Sequence, residues 1–151
     1  MRELLQNPEV VRLLSLGKDG LLFAIWETCY VTVIATFFAY VIGLPLGVLM
    51  VAGEEGGVRP LPRPVMSALN VIINILRSVP FLILMVLVIP LSRVILGTSI
   101  GTVATIIPLI VAAFPFVARL VEASIREVDK GVVEAAQSMG CSPLQIIAKV
   151  M

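Results

Sequence analysis

The sequence contains no histidine, few charged residues and only two cysteines. Without histidine the chain lacks the commonest general base and the commonest metal ligand, which argues against many enzyme and metal-site classes. Cys29 lies in an apolar run and Cys141 in the polar tail, so we expect no disulfide between them. The net charge of +1 leaves no basic excess for nucleic acid.

Charged residues make up 14% of the chain and hydrophobic residues 59%, whereas soluble domains average about 25% charged. This balance predicts an integral membrane protein of the all-α class. Two uncharged stretches, Thr28 to Gly53 and Val94 to Ala118, each exceed the roughly 20 residues that a helix needs to cross the bilayer. Residues 1–20 are charged and lack the apolar core of a cleavable signal peptide, so we expect the first span to be an uncleaved signal-anchor.

The middle of the chain, about 64–91, is apolar apart from Arg77 and a few neutral polar residues. We favour one long helix here, because the polar residues recur at spacings of three and four and therefore share one face, directed into a bundle or a wet cavity. The residues of this possible buried polar face are Asn70, Asn74 and Arg77, and Ser67 lies on the same side of the helix. The alternative is a helix lying on the membrane surface, followed by a short span.

The position of Arg77 leaves two interpretations open, because an arginine at membrane depth costs at least ~2.5 kcal/mol unless it is paired or wet. In the first, Arg77 contacts a neighbouring helix, a partner copy of the chain or the translocation path. In the second, the helix lies lower in the membrane, and the Arg77 side chain reaches the cytoplasmic interface. Asn70 and Asn74 are expected to bond across helices rather than to substrate, and Glu27 to be interfacial.

We therefore predict a polytopic membrane helical bundle with three spans. The predicted segments are an N-terminal amphipathic, extracytoplasmic segment 1–26, spans at about 28–52, 64–91 and 95–118, and a segment at about 129–151 outside the membrane. Lysine and arginine are more numerous in the 52–63 loop and the tail than on the other side, which predicts a cytoplasmic tail and an outside N-terminus.

Small residues recur every four positions along the first span, where they form one stripe. Such a stripe lets another helix approach closely, and van der Waals contact is the main attraction between helices in lipid. The predicted packing residues are Ala35, Ala39, Gly43 and Gly47 in the first span and Gly97 and Gly101 in the third. The spans also contain prolines. Two interpretations of them remain open, ordinary helix packing and a kink that takes part in gating.

Arg119, Glu122 and Arg126 lie on one helical face beyond the third span, where we expect a solvated ion pair worth about 0.3 kcal/mol. The clustered acids of the chain belong to this segment. An enzyme acting on lipid is therefore the least favoured class.

The tail predicts two short helices outside the membrane. Val132 to Met139 forms the first, Gly140 suits the left-handed residue that ends it, and Ala135 and Ala136 expose a shallow surface. A capping box would start the second helix, with Ser142 as N-cap, Pro143 at the first position and Gln145 completing the box. A docking element and a turn toward another span explain the pattern equally well.

The same tail contains the pattern EAA-x-x-x-G, formed by Glu134, Ala135, Ala136 and Gly140. It resembles the cytoplasmic signature of binding-protein-dependent ABC importer permeases, and among them the methionine-importer permeases, over about residues 24–151. Further matching motifs are Trp26-Glu27-Thr28, Arg77-Ser78-Val79-Pro80-Phe81, Gly97-Thr98-Ser99-Ile100-Gly101, Pro108-Leu109, Pro115-Phe116, Ala118-Arg119, Glu122, Met139-Gly140-Cys141-Ser142-Pro143 and Gln145-Ile146.

The resemblance implies that residues 27–151 form an ABC transmembrane permease domain in the bacterial inner membrane, with no catalysis and no cofactor in this chain. Residues 53–57 lack the lysine of a phosphate-binding loop, so ATP and Mg would be bound by a separate ATPase subunit. The implied partners are that ATPase, an extracytoplasmic substrate-binding lipoprotein, a second copy of the permease and the lipid membrane, with no nucleic acid.

The resemblance also implies which residues couple to the ATPase. The implied coupling residues are Glu134, Ala135, Ala136, Gln137, Gly140 and Ser142. Glu134 would pair with a basic group of the ATPase, or else serve as a solvated first-turn acid favoured by the helix dipole. The substrate, D- or L-methionine, rests on the likeness alone, and another amino acid is an alternative.

The family motif continues beyond the position of Met151, so we expect a fragment of a longer product or an inactive truncated permease. A small non-transporting membrane adaptor is a further alternative. A secondary transporter or channel is disfavoured, because the sequence shows neither an inverted repeat nor a chain of acids.

Overall fold

The computed structural model describes residues 20–150, and every regular element in that range is a helix. The helices are α1 (Leu21–Ala52), α2 (Arg63–Ser78), α3 (Phe81–Leu96), a 3₁₀ helix (Thr102–Thr105), α4 (Ile106–Arg126), α5 (Lys130–Ser138) and α6 (Pro143–Lys149). The predicted all-α class is confirmed. Most of the predicted segment 1–26 lies outside the described residues, and its last residues, from Leu21, already belong to α1.

Helices α1 and α4 form the centre of the bundle and run parallel to each other. At one end, the Thr102 hydroxyl donates a hydrogen bond to the Glu27 carboxylate, 75 positions away in the sequence. At the other end, Arg126 donates to Glu54, 72 positions away. Because the separation stays nearly constant from end to end, the two helices are in register along their whole length.

The stripe of small residues on α1 faces α4. Ala35, Ala39, Gly43 and Gly47 are all buried. A Cβ atom at Gly47 would lie 2.5 Å from the carbonyl oxygen of Ala118, which is closer than any real side chain comes. Glycine at this position therefore allows the two helix backbones to approach closely. The close approach increases van der Waals contact, which matters because lipid provides no hydrophobic driving force for helix association.

The prediction of one helix over about 64–91 is wrong, because the chain bends by 113° between α2 and α3. Val79 has the extended conformation, with φ −76° and ψ 127°, that a following proline favours. Pro80 lacks the N–H that would continue α2. It is the residue directly before α3, which begins at Phe81. The break agrees with the alternative of two separate elements.

The predicted third span, about 95–118, is shifted at both ends, and its predicted packing face is wrong. Gly97 ends α3 in the left-handed conformation with φ 74°, and Gly101 has φ 101°. Both are exposed, with nothing within 4 Å of where a Cβ would lie, so these glycines turn the chain rather than pack helices. The apolar span runs instead over Thr102–Arg126.

The helices account for three passes through the bundle. Leu21–Ala52 and Thr102–Arg126 are each long and apolar enough to cross a membrane, and the bent pair α2–α3 counts as a third span if taken together. Since α1 and α4 are parallel, α2 and α3 must carry the chain back from the end of α1 to the start of α4. The loop after α1 and the segment after α4 therefore lie at the same end.

We predict that Gly47→Ala disrupts the packing of α1 against α4. The added Cβ would overlap the Ala118 carbonyl and Val121, 2.5 and 2.7 Å away, and such overpacking costs about 1–3 kcal/mol. The measurement is the free energy of unfolding of the purified chain in mixed detergent micelles.

The matched control is Leu44→Phe, which adds bulk to the exposed side of the same helix. It should leave the unfolding free energy within about 0.5 kcal/mol of the parent. Equal losses from both substitutions would contradict the packing described for this stripe.

Candidate functional site

The segment after α4 is built from two short capped helices. The Asp129 carboxylate accepts a hydrogen bond of 2.6 Å from the Gly131 N–H and so caps α5. Gly140 has φ 78° and turns the chain, and Ser142 and Gln145 form a complete capping box at the start of α6. The predicted glycine turn and capping box are confirmed. We call residues 130–149 the tail segment.

The tail segment directs most of its predicted coupling residues to the surface. Glu134, Ala135, Gln137, Gly140 and Ser142 are exposed, whereas Ala136 is buried at 4% exposure. The prediction that Ala135 and Ala136 form one shallow surface is therefore wrong, because successive residues of an α-helix point about 100° apart.

The position of Glu134 in α5 also contradicts one of the two roles predicted for this residue. The helix begins at Lys130 and has no acid in its first turn. Glu134 lies a turn further on, beyond the N–H groups that favour a negative charge. The interpretation as a first-turn acid is therefore wrong.

A cleft joins the tail segment to the loop after α1. It has a volume of about 370 Å³ and is lined by Glu54, Glu55 and neighbouring residues of the loop, and by Lys130, Glu134 and Gln137 of α5. Two parts of the chain that are far apart in sequence thus form one continuous surface at this end of the bundle.

Glu122 is the only acidic residue buried in residues 20–150, with 6% of its surface exposed. Arg119 Nη1 donates to its Oε2 at 2.6 Å, and Arg126 donates to its Oε1 from Nη2 at 3.0 Å and from Nε at 3.2 Å. Arg126 also pairs with Glu54, which ties the loop after α1 to α4. We call these four residues, with Asn70 and Asn74, the polar network.

The two asparagines of α2 complete the polar network. Arg119 Nη2 donates to Oδ1 of Asn70 and to Oδ1 of Asn74, each at 2.9 Å. The expectation that these asparagines bond across helices is confirmed. The bonds join α2 to α4 in addition to the buried cluster that Ile73 of α2 forms with Met50 and Ala118.

The prediction that Asn70, Asn74 and Arg77 form a buried polar face is wrong in two of its members. Asn70 is half-buried, while Asn74 and Arg77 are exposed. Arg77 occupies the last turn of α2, next to the break at Val79, rather than the centre of a span. The cation that meets the asparagines is Arg119.

The spacing of the charged residues predicts an ion pair in this network but does not predict the burial of Glu122. The predicted ion pair of Glu122 with Arg126, at i, i+4, forms, and Arg119 adds a second pair with Glu122 at i, i+3. We expected them in water because they follow the last apolar run. Their enclosure comes from α2 and from Glu54, which sequence spacing does not reveal.

A bundle of apolar helices with a capped helical segment at one end is the architecture of a membrane-embedded permease component. Residues 43–151 match the family described as "Binding-protein-dependent transport system inner membrane component". The chain belongs to this family, and its helices make it a multi-pass membrane protein.

Relatives with assigned names match most of the chain. It is 51% identical over 138 residues to the "Probable D-methionine transport system permease protein MetI" of Vibrio cholerae, covering 91% of this chain and 60% of the relative. It is 46% identical over 127 residues to the "D-methionine transport system permease protein MetI" of Escherichia coli K12, covering 84% and 58%. The chain thus spans less than two thirds of the length of these relatives.

Two solved structures share the fold, both titled as inward-facing conformations of the MetNI methionine ABC transporter. One has a TM-score of 0.79 and 46% identity over 83% of this chain and 58% of that chain. The other has a TM-score of 0.83 and 41% identity over 96% of this chain and 63% of that chain.

We predict that Glu122→Gln destabilises the fold strongly, because it leaves two arginines without the carboxylate between them. Breaking a buried ion pair by removing one partner costs about 3–5 kcal/mol. The measurement is again the free energy of unfolding in mixed micelles.

Glu55→Gln is the matched control, since Glu55 pairs with Arg63 in an exposed position, with side chains 63% and 83% exposed. Exposed pairs contribute about 0–1 kcal/mol, so this change should be nearly silent. A Glu122→Gln chain as stable as the Glu55→Gln chain would show that the network does not hold the helices together.

Proposed function

We propose that this chain is the permease component of an ATP-driven importer and forms part of the translocation path for methionine, in its D or L form. Membership of the importer family supports the class, and the names of the relatives support the substrate. The observation that carries the proposal is the exposed tail segment, which gives the bundle a rigid element with which to contact an ATPase.

The tail segment would dock in a groove of the ATPase through its exposed side. Glu134, Ala135, Gln137, Gly140 and Ser142 lie on it or border it. Met139 and Leu144 add two apolar side chains that are 76% and 74% exposed, and such projecting side chains fill pockets at protein interfaces. Ala136 and Ile146 would hold the segment in place from its buried side.

Force applied to the tail segment would reach the spans through α4. Only residues 127–129 separate α4 from α5, and α4 packs closely against α1 at Gly43 and Gly47. The pair α1–α4 would therefore move as one body, while the 113° bend between α2 and α3 offers a place for the bundle to flex. Closure of the ATPases would rock the bundle between inward-open and outward-open states.

The remaining components of the importer would come from other chains. The ATPase would bind ATP and Mg, a second copy of the permease would complete the path, and a substrate-binding lipoprotein would deliver methionine. The tail segment would be cytoplasmic and the start of α1 extracytoplasmic, as the distribution of lysine and arginine favours.

We predict that Glu134→Lys weakens ATPase binding about tenfold or more, which corresponds to ~1.4 kcal/mol, and abolishes ATP-dependent methionine uptake. The reversed charge would face the basic group that Glu134 pairs with. The measurements are co-purification of the ATPase with the full-length permease and uptake of labelled methionine by cells.

The control is Glu127→Lys, the same reversal at an exposed position outside the tail segment. It should leave both readouts close to the parent. If both variants bind the ATPase as the parent does, the result would argue against the docking role of α5. Retained binding without any methionine-dependent uptake would favour a non-transporting adaptor or another substrate.

We predict that Cys141 is reached by thiol reagents from the cytoplasm. In a Cys29→Ser chain, Cys141 is the single thiol, half-buried at the turn between α5 and α6. A membrane-impermeant maleimide should label it in inverted vesicles and not in intact spheroplasts.

The converse variant, Cys141→Ser, leaves only Cys29 inside the apolar helix α1, where lipid shields the thiol from a water-soluble reagent, and should stay unlabelled in both preparations. Labelling of Cys141 in intact spheroplasts would reverse the proposed orientation.

A further inference from the structure

An open groove of about 420 Å³ lies between the end of α2 and the last turns of α4. Three arginines line it, Arg77, Arg119 and Arg126, against one acid, Glu122. It runs along α4 from Phe116, near the middle of the Thr102–Arg126 span, to Arg126, so one of its ends reaches the end of the bundle that carries the loop after α1 and the tail segment.

The charges in and around the groove do not balance. Glu122 and Glu54 together neutralise Arg119 and Arg126 through the polar network. Arg77 has no ion pair or hydrogen bond among residues 20–150. One positive charge is therefore left over, which matches a ligand with a single negative charge.

Of the groove's arginines, Arg119 and Arg77 differ in the hydrogen-bond donors that they offer to a ligand. Arg119 directs its two terminal nitrogens to Glu122 and the asparagines, but its Nε is buried with no partner in the described part of the chain. Because protein atoms cover Arg119 Nε, the donors open to a ligand in the groove are those of Arg77. Arg77, with its full set of donors, lines the same groove.

One wall of the groove is apolar. Phe116 and Leu120 lie one turn apart on α4, with 59% and 50% of their surfaces exposed. A small anion would satisfy the arginines but leave these side chains uncovered. A ligand with an anionic head and an apolar chain satisfies both.

We propose that this groove binds an anionic phospholipid. The phosphodiester accepts hydrogen bonds from Arg77, and an acyl chain lies along Phe116 and Leu120. Basic pockets between helices at the cytoplasmic side of a membrane are suited to anionic headgroups. The lipid then bridges α2 and α4 beside the hydrogen bonds from Arg119 to the two asparagines.

The test uses the intact chain in neutral detergent, titrated with phosphatidylglycerol or phosphatidylcholine, with bound lipid counted by native mass spectrometry. We expect retention of phosphatidylglycerol and little phosphatidylcholine. Arg77→Gln should weaken phosphatidylglycerol binding about fivefold, the size expected for one cation near the surface. Because Arg77 is exposed and unpaired, this change should leave the fold intact.

The matched control is Arg59→Gln, which removes an exposed arginine from the loop at the same end but outside the groove. Phosphatidylglycerol binding close to that of the parent supports a defined site, and an equal loss would reduce it to general surface attraction. Phe116→Ala should weaken long-chain phosphatidylglycerol more than a short-chain form, and equal effects would remove the acyl contact from the proposal.

Competition distinguishes the other occupants. Displacement of the lipid by millimolar inorganic phosphate would identify a site for a free anion, and displacement by methionine would assign the groove to the transported substrate. Either result, or equal binding of both lipids, would overturn the proposal.

Discussion

The close approach of α1 and α4 is the contact on which the rest of the bundle depends. Gly43 and Gly47 leave no room for a side chain against α4, so the two backbones touch over the centre of the structure. Polar contacts fix the register at both ends, through Glu27 with Thr102 and Glu54 with Arg126. Because the pair is parallel, the path of α2 and α3 and the position of the tail segment follow from it.

Ile73 of α2 packs in a buried cluster with Met50 of α1 and Ala118 of α4, and the polar network adds hydrogen bonds between α2 and α4 to this contact. Glu122 is enclosed between two arginines, and the arginines in turn reach Asn70, Asn74 and Glu54. Such a network lies where the loop after α1, the end of α4 and the tail segment converge. Glu54 and Arg126 of the network line the same cleft as Glu134 of the tail segment.

Features determined by local spacing could be predicted from the sequence, and features determined by tertiary contact could not. The stripe ending at Gly47, the turn at Gly140 and the capping box at Ser142 depend on residues a few positions apart. The burial of Glu122 depends on α2, and the exposed glycines of the α3–α4 connection adopt backbone conformations that a small-residue pattern does not distinguish from packing. The bend at Pro80 was locally encoded, but the apolar run across it favoured one helix.

The parallel pairing of α1 and α4 also constrains how the protein is made. The glycine stripe of α1 and its partners on α4 are separated by as many residues as the end contacts, which span 75 and 72 positions. At a synthesis rate of about 5–20 residues per second, α1 enters the membrane roughly 4–15 s before α4 is available. During that interval the stripe faces lipid or the insertion machinery. The hydrophobicity of α1 alone must therefore keep it in the membrane until α4 is inserted beside it.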